Sequence, residues 1–374
     1  MRPWVRRLGP VAVLVVAAVT LTGCGDGMAD VRCPWRAEPV GRFVADTIPA
    51  GASGTVLVAA GGRISYCRGF GLANRQTGRR AGCDTGYDVM SITKQFTAAA
   101  ILKLSRLGKV RLHDRIGRFL GPVPADKRRI TVYQLLTHTA GLVESLGDDY
   151  APVSRAEMVR AALASRLRSA PGAEFRYSNV GYALLAAIVE HAAGTCYERF
   201  LARRLFAPAG MTHTGYVLPH WRAGQIAVEY DDHGRSHGRP IDHPWADDGP
   251  YWNLRGNGGM LSTARDMFRW QRALSGDTIL SPWARRQLFA RHVRIDDSDE
   301  FSGFGFVLSD TDAGPIAWHD GGNTWSLAVY ARSLRDDRMV FWVSNHAAQQ
   351  GRWNLVDEQS ALTVGALCRA RPAG

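Results

Sequence analysis

The order of strand-like and helix-like patterns constrains the fold of this chain most strongly. Two short β-rich runs, Thr55–Ala60 and Ile64–Phe70, flank Gly61-Gly62-Arg63, which is typical of a hairpin. Strand patterns return only in the C-terminal third, at Gly303–Ser309, Ile316–His319, Ser326–Ala331 and Met339–Val343. We therefore expect the strands of both ends to share one antiparallel sheet, with the middle of the chain inserted as a second lobe and a cleft between the two.

Helix signals fill the middle of the chain. Apolar residues recur at near-helical spacing over Ser91–Leu107, and Gly108 is a suitable C-cap. A second apolar helix is predicted over Val180–Ala193, closed by Gly194. Capping boxes predict three more helix starts, at Thr131/Gln134, Ser154/Glu157 and Thr195/Glu198. From about residue 219 to 257 no such pattern occurs, so we expect a long loop, which usually belongs to a binding site.

The N-terminus has the pattern of a bacterial export signal. Three arginines among the first seven residues precede an apolar stretch, Leu8–Leu21, which is shorter than the roughly 20 residues of a membrane span. Small residues then lead to Cys24 in a pattern similar to a lipobox, in which the cysteine is lipidated. We expect residues 1–23 to be a lipoprotein signal peptide and 24–36 a tether, with the exported protein lipid-anchored at the outer face of the bacterial cell membrane. The alternatives are a plain signal peptide or a short anchor helix, with Cys24 incidental.

The formal net charge of +12 raises the question of a polyanionic partner. A basic excess can indicate nucleic-acid binding, but an exported protein rarely meets nucleic acid. We therefore expect no nucleic-acid partner and interpret most of the arginines as a solvated surface.

The cysteines fit an oxidising compartment. Five remain after Cys24, and because five is odd, at least one thiol stays free or pairs between chains. We favour a Cys67–Cys83 bridge, which closes a short loop, and Cys33 with Cys368 could tie the termini together. No cysteine or histidine spacing indicates zinc.

The most informative motif is Ser91-Ile92-Thr93-Lys94, at the start of a predicted helix. Residues three apart share a helical face, so the hydroxyl and the amine would be neighbours. A nucleophilic serine needs a base within hydrogen-bond reach, and a desolvated lysine with a depressed pKa can serve, whereas arginine cannot release its proton. The chain has only four lysines, and we interpret the other three, Lys103, Lys109 and Lys127, as solvated surface. Alone, the motif also occurs by chance in basic helices.

Two further motifs carry chemistry. In Tyr177-Ser178-Asn179 the tyrosine and the asparagine would face the same side of an extended segment. A tyrosine can share a proton with a lysine and an asparagine amide can hold a carbonyl, but for this motif alone we favour the alternative, a capping turn with a packed tyrosine. The stretch Trp318-His319-Asp320-Gly321-Gly322 ends a strand, where glycines would let a substrate pair with the strand edge; the alternative is a plain β-turn.

Together, Ser91-x-x-Lys94, Tyr177-x-Asn179 and His319-x-Gly321 resemble the serine β-lactamase and penicillin-binding-protein family, on its class C and D-alanyl-D-alanine carboxypeptidase side. The stretches 91–97, 135–142 and 258–264 are similar to the same family, and the resemblance extends roughly from residue 55 to 343. It implies an α+β fold, an antiparallel sheet flanked by terminal helices with an inserted all-helical lobe. The domain would span residues 37–370, with an α/β lobe of about 37–90 and 261–370 and a helical lobe of about 91–260.

The resemblance also implies catalytic roles. Ser91 would attack an amide, ester or lactam carbonyl of a small-molecule or peptidoglycan-like substrate and form an acyl-enzyme. Lys94 and Tyr177 would be the proton-transfer pair, and the sequence leaves open which of them is the base. The backbone N–H groups of Ser91 and Gly322 would form the oxyanion hole. No cofactor and no metal are implied.

The implied substrate-binding residues are Asn179, His319, Gly321 and Gly322, and the sequence departs from the family pattern among them. His319 stands where some members have lysine, so its charge depends on its surroundings. Asp320 adds a negative charge beside a pocket that commonly binds carboxylates. Both departures argue against efficient β-lactam hydrolysis and leave carboxypeptidase, D-amino-acid peptidase and esterase activities open.

Two alternatives remain open at this point. The aspartates and histidines of residues 230–248 could form a metal site, but their spacing fits no ordered template, so we favour a solvated loop at the rim of the cleft. The protein could also be a non-catalytic lipoprotein that binds a ligand or the cell wall in the same cleft.

Overall fold

The computed structural model describes residues 27–33 and 38–371 of the chain. Cys24 and the predicted signal peptide lie outside the described residues and stay predictions. The α-helices are α1 Val40–Thr47, α2 Thr93–Arg106, α3 Gly117–Leu120, α4 Val132–Leu136, α5 Arg155–Ala164, α6 Asn179–Ala193, α7 Tyr197–Leu201, α8 Ala207–Ala209, α9 Ala264–Ser275, α10 Pro282–Leu288 and α11 Gln359–Arg369. Within the described part of the chain, no helix is long and apolar enough to span a membrane.

The strands are β1 Ser53–Ala60, β2 Arg63–Phe70, β3 Leu72–Asn74, β4 Arg79–Arg80, β5 Tyr87–Asp88, β6 Thr214–Gly215, β7 Glu229–Tyr230, β8 Ser236–Gly238, β9 Trp245–Ala246, β10 Gly249–Pro250, β11 Leu261–Ser262, β12 Val293–Arg294, β13 Phe301–Ser302, β14 Val307–Thr311, β15 Gly314–Gly322, β16 Leu327–Ser333, β17 Met339–His346, β18 Ala348–Gln349 and β19 Trp353–Asn354. Eight of them form one sheet in the order β12-β13-β14-β15-β16-β17-β1-β2. The N-terminal hairpin joins the C-terminal strands through β1, which pairs antiparallel with β17, Thr55 lying opposite Val343. The prediction that both ends share one antiparallel sheet is confirmed.

Each face of this sheet is covered because its strands are apolar on both sides. In β1, Leu57 faces the core shared with the helical middle of the chain, and Val56 faces the core under the terminal helices α1 and α11. The indole of Trp342 donates to the Thr363 hydroxyl of α11 at 3.0 Å. Both disulfide predictions are confirmed: Cys33–Cys368 ties the segment before α1 to α11, and Cys67–Cys83 links β2 to the loop between β4 and β5. Cys196 is the free thiol of the described residues.

The inserted middle is built around α2 and α6, which pack on each other. α2 is buried along most of its length, and α6 ends at Gly194 in the left-handed conformation, as predicted. Helix α2 begins at Thr93 rather than Ser91, because Met90–Ile92 forms a 3-10 turn ahead of it. The insertion also holds several strands of two or three residues, and the predicted long loop contains little else.

Two of the three predicted capping boxes are confirmed, at Thr131/Gln134 and Ser154/Glu157. The third helix start is confirmed to within a residue, since α7 begins at Tyr197, but the Thr195/Glu198 capping box does not form. Helix α7 starts after Cys196 without a side-chain cap, and the buried Glu198 carboxylate instead accepts three successive backbone N–H groups of residues 216–218. Glu198 satisfies a distant loop, which a local spacing rule cannot anticipate.

Candidate active site

The fold brings the three motifs to one place. Ser91 lies in the turn before α2, the Tyr177 motif leads into α6, and the His319 motif lies at the end of β15. β15 packs against the turn that carries Ser91, so Ser91 of the inserted lobe meets the sheet at this strand.

The backbone around Ser91 is held in an unusual conformation. Met90 has a φ of +47°, in the region that side chains other than glycine rarely adopt. The Asp88 carboxylate accepts the Met90 N–H at 2.6 Å and so stabilises the turn. A Cβ added to Gly321 would lie 2.7 Å from the Ser91 nitrogen, so only glycine lets β15 approach this closely. Residues that hold backbone strain often mark functional sites.

Lys94 stands beside the Ser91 hydroxyl, as the motif predicts. Its Nζ donates to Ser91 Oγ at 2.9 Å and to the backbone oxygen of Asn257 at 2.9 Å. The residue is 0% exposed, and burial lowers the pKa of Lys94 from 10.5 to about 7, against the opposing charges of nearby carboxylates. Near neutral pH a substantial fraction of this amine is therefore unprotonated and can take up a proton.

Tyr177 contacts the same hydroxyl from the other side. Its OH donates to Ser91 Oγ at 3.0 Å, and Lys94 Nζ lies 4.8 Å from the centre of its ring. Burial raises the pKa of Tyr177, while its hydrogen bond to Ser91 opposes that shift. Tyr177 therefore stays a neutral phenol that can donate a proton.

His319 lies close to Tyr177, with 6.3 Å between the ring centres. The residue is 5% exposed, and its Nδ1 bonds to the backbone oxygen of Asp320. Burial lowers the pKa of His319 to about 4, which the Asp320 carboxylate opposes and the Lys94 charge reinforces. His319 is therefore neutral at pH 7 and does not supply the positive charge that a lysine would bring.

The remaining predicted residues lie around this centre. Gly322 ends β15 opposite Leu327, next to the close contact of Gly321 with Ser91. Asn179 begins α6 and is partly exposed; its backbone N–H donates to the Glu144 oxygen at 2.9 Å. Its side-chain amide makes no hydrogen bond within the described ranges. Asn179 therefore lies near the site, and its predicted role in binding substrate stays a prediction.

His138 is a residue whose role the sequence did not reveal. It has a φ of +57° and stacks on the Tyr177 ring with 4.6 Å between centres. Its Nδ1 accepts the Ser178 N–H at 3.0 Å, so the proton of the neutral imidazole is on Nε2. Burial lowers the pKa of His138 well below its ordinary value, so it stays uncharged. It fixes the position of Tyr177, and its place in the stretch 135–142 was the one available signal.

The long loop reaches the rim of this cleft. The His243 ring stacks on Tyr150 with 4.2 Å between centres and on Trp325 with 5.1 Å, and His237 also stacks on Trp325, with 4.4 Å between centres. Asp231 accepts hydrogen bonds from Arg235 and His237 rather than standing free. Within residues 27–33 and 38–371, no group of three or more His, Cys, Asp or Glu side chains is placed to hold a metal ion.

Comparison with known proteins identifies the group of proteins that share this architecture. The family model described as Beta-lactamase matches residues 44–360. Penicillin-binding protein 4* of Bacillus subtilis is 29% identical over 312 residues, which are 78% of this chain and 68% of that protein. Protein flp of Staphylococcus aureus is 26% identical over 226 residues, 58% of this chain and 44% of its own length, so the chain spans less than half of that relative.

The fold is also that of a solved enzyme. The crystal structure of D-amino acid amidase from Ochrobactrum anthropi SV3 superposes with a TM-score of 0.73 at 22% identity. The match covers 88% of this chain and 96% of that one, so the similarity includes both the sheet and the inserted helices.

Proposed function

The chain belongs to the beta-lactamase family and is a serine hydrolase, and we propose that it hydrolyses amides, esters or lactams through an acyl-enzyme on Ser91. One observation carries the proposal: the Ser91 hydroxyl lies 2.9 Å from Lys94 Nζ and 3.0 Å from the Tyr177 OH. A hydroxyl between an amine that can be neutral and a phenol that stays protonated has both a proton acceptor and a donor.

We assign Lys94 as the base because the two groups that contact the Ser91 hydroxyl differ in pKa. The pKa of Lys94 is about 7, whereas that of Tyr177 is raised above its ordinary value. As Ser91 Oγ bonds to the carbonyl carbon, its proton passes to Lys94 Nζ and the carbonyl π electrons move to the oxygen. The tetrahedral intermediate then collapses, the leaving group takes a proton from Lys94 or through Tyr177, and an ester to Ser91 remains. Water hydrolyses this ester by the same proton route in reverse.

The backbone N–H groups of Ser91 and Gly322 are our proposed oxyanion hole. The close approach of β15 to the Ser91 turn supports this assignment, because β15 ends at Gly322 and so brings that residue near Ser91. A donor of this kind is worth about 3–4 kcal/mol of transition-state stabilisation.

We propose that the substrate is a small molecule or a peptidoglycan-like peptide and that the protein is related in activity to D-alanyl carboxypeptidases and β-lactamases. The names of the relatives support this range, since they include a penicillin-binding protein and a D-amino acid amidase. The non-catalytic alternative leaves unexplained why a buried lysine and a tyrosine both contact one serine hydroxyl.

The test of the reaction compares alanine substitutions of two serines, one in the site and one outside it. Ser91→Ala is expected to abolish hydrolysis of p-nitrophenyl butyrate, whereas Ser105→Ala, which lies on α2 outside the site, is expected to retain it. Lys94→Arg keeps a positive charge but cannot accept a proton, so it should also be inactive. Incubation with penicillin followed by intact-mass measurement then separates a persistent adduct, rapid release and no adduct. Unchanged turnover in Ser91→Ala would refute the proposal.

We also propose that the protein is exported and lipid-anchored through Cys24 at the outer face of the cell membrane. The two disulfides support an oxidising compartment, because such bonds rarely persist in a cytosol. Metabolic labelling with palmitate should label the wild-type chain and leave Cys24→Ala unlabelled and released from the membrane fraction. Equal labelling of both chains would contradict the proposal.

A further inference from the structure

Three carboxylates surround the reacting centre. The charges of Asp149, Asp320 and Glu144 all act on the Lys94 ammonium. Glu144 lies beside the Tyr177 motif, since its backbone oxygen accepts the N–H groups that open α6, and Asp149 belongs to the same loop before α5. Asp320 approaches from β15. Each of the three residues is partly exposed, so their carboxylates are within reach of solvent as well as of the Lys94 charge.

These carboxylates lack cationic partners of their own. Glu144 and Asp149 accept no side-chain hydrogen bond and form no ion pair within the described part of the chain, and the one basic group that acts on either is Lys94. The basic atom that approaches Asp320 is His319 Nδ1 at 3.7 Å. Because the pKa of His319 is about 4, that ring is neutral and offers no counter-charge.

Several carboxylates elsewhere in the chain are paired directly with arginine. The chain has 46 Lys and Arg residues against 34 Asp and Glu, so arginine is abundant. Arg255 makes a two-pronged contact with Asp248 at 2.7 and 2.6 Å, and Arg269 lies 2.5 Å from Asp266. The cleft beside Ser91 is therefore an acidic region of a basic protein.

Glu229, a buried carboxylate, gives independent evidence of unpaired negative charge near this region. Glu229 is 2% exposed; its Oε1 accepts from Asn323 and Ser326, in the turn that follows β15. Its Oε2 has no hydrogen-bond donor among the described residues and lies 3.9 Å from His243 Nε2. His243 stacks on Tyr150, the neighbour of Asp149 in the chain. A buried oxygen without a donor costs free energy unless a ligand or water satisfies it.

We propose that this cleft selects substrates that carry a protonated amine near the scissile carbonyl and disfavours those with a free carboxylate there. Asp320 and Asp149 are the specificity-determining residues. The inference rests on the acyl-enzyme function proposed above, because it concerns the substrate of the same nucleophile. A negative cleft with low-dielectric walls concentrates cations and repels anions, which acts on both binding and encounter.

The test uses three p-nitrophenyl esters of similar length that differ in terminal charge. They are the 6-aminohexanoate, the neutral 6-acetamidohexanoate and the adipate monoester, assayed at pH 8, above the pKa of about 6 that burial gives Asp149. We expect kcat/KM for the ammonium ester to exceed that for the carboxylate ester at least about tenfold, equivalent to about 1.4 kcal/mol. Potassium chloride should reduce the ratio by screening.

Variants locate the effect. Asp320→Asn and Asp149→Asn should each reduce the ammonium-to-carboxylate ratio severalfold. Asp299→Asn is the matched control, because it removes the same charge from a side chain that is 99% exposed and paired with Arg294. It should leave the ratio unchanged. A wild-type preference for the carboxylate ester, or a ratio that neither cleft variant alters, would overturn the proposal.

A failure of the proposed function gives a different result. If none of the esters is hydrolysed, the acyl-enzyme proposal fails, but selection can still be measured by binding. Thermal shifts of the Ser91→Ala protein with hexylammonium and with hexanoate should show stabilisation by the ammonium alone. Equal stabilisation by both ions, or by hexanoate alone, would refute selection whatever the outcome for catalysis.

Discussion

Replacing Lys94 by methionine is expected to stabilise the protein at pH 7 while abolishing hydrolysis. The Lys94 side chain is buried, and burial lowers its pKa from 10.5 to about 7. An amine with a lower pKa in the folded than in the unfolded chain opposes folding, because the unfolded chain binds the proton more tightly. This opposition is complete below pH 7 and disappears as the pH rises from 7 towards 10.5. Methionine has a similar length and no charge.

The magnitude follows from the same pKa values. One pKa unit is about 1.4 kcal/mol, so the change from 10.5 to about 7 opposes folding by about 5 kcal/mol in acid and about 4 kcal/mol at pH 7. Methionine also loses the hydrogen bonds to Ser91 and to the Asn257 carbonyl, and leaving that carbonyl without its donor costs about 1–3 kcal/mol. The net gain at pH 7 is then about 1–3 kcal/mol, and it vanishes or reverses near pH 10.

Urea unfolding of the wild type and Lys94→Met at pH 7, 8, 9 and 10 measures this difference. The stability advantage of the variant should fall by up to about 1.4 kcal/mol per pH unit. The control is Lys109→Met, which makes the same substitution at an exposed position just after α2. If Lys94→Met is destabilised by the same amount at every pH, the buried amine is not what opposes folding, and the assignment of Lys94 as the neutral base loses its support.

Three further outcomes are expected. Gly321→Ala should lower kcat/KM about 100-fold with little loss of helicity, because its Cβ would lie 2.7 Å from the nucleophile's backbone nitrogen; wild-type activity would contradict the geometry. The kcat/KM for p-nitrophenyl butyrate should rise with pH through about 7, and Asp149→Asn should move that limb to lower pH, because the carboxylate raises the pKa of Lys94; a shift to higher pH would be inconsistent. Replacing Cys67 and Cys83 by alanine should lower the free energy of unfolding by about 3 kcal/mol, since the bridge closes a 16-residue separation; a reductant should reproduce this loss, and an unchanged urea midpoint would contradict it.

The fold was largely predictable because its signals are local. The Gly61-Gly62 turn specifies the first hairpin. The continuous apolar run in β1, which is buried along its whole length, is typical of a strand that lies between two others and is covered on both faces. The helix starting after Ser178 and ending at Gly194 has a side-chain cap at one end and a left-handed glycine at the other, both readable from residue type. The predicted capping box at Glu198 failed because its carboxylate binds backbone N–H groups of a loop about 20 residues away instead of the nearby helix start.

The contact between Ser91 and Lys94 was also predictable, because the two residues are separated by less than one helical turn. The groups that set its chemistry were not. Lys94 bonds to the carbonyl of Asn257, which is 163 residues away, and its pKa depends on the carboxylate of Asp149 in another loop. His138 supports Tyr177 through ring stacking and a backbone contact, neither of which leaves a fixed spacing in the sequence. Such contacts depend on how segments that are distant in the sequence pack together.

Burial alone does not distinguish the catalytic lysine. Lys127, which we interpreted from the sequence as solvated, is 2% exposed, and that interpretation is wrong. Its Nζ lies 2.7 Å from the Asp126 carboxylate, so its charge has a partner in direct contact. Lys94 instead donates to a hydroxyl and a carbonyl, both uncharged, while the carboxylates that act on it stand farther away in the cleft. Lys94 suits the proposed role of base because it is buried among neutral acceptors, and the more distant negative charges leave its pKa near 7 rather than lower still.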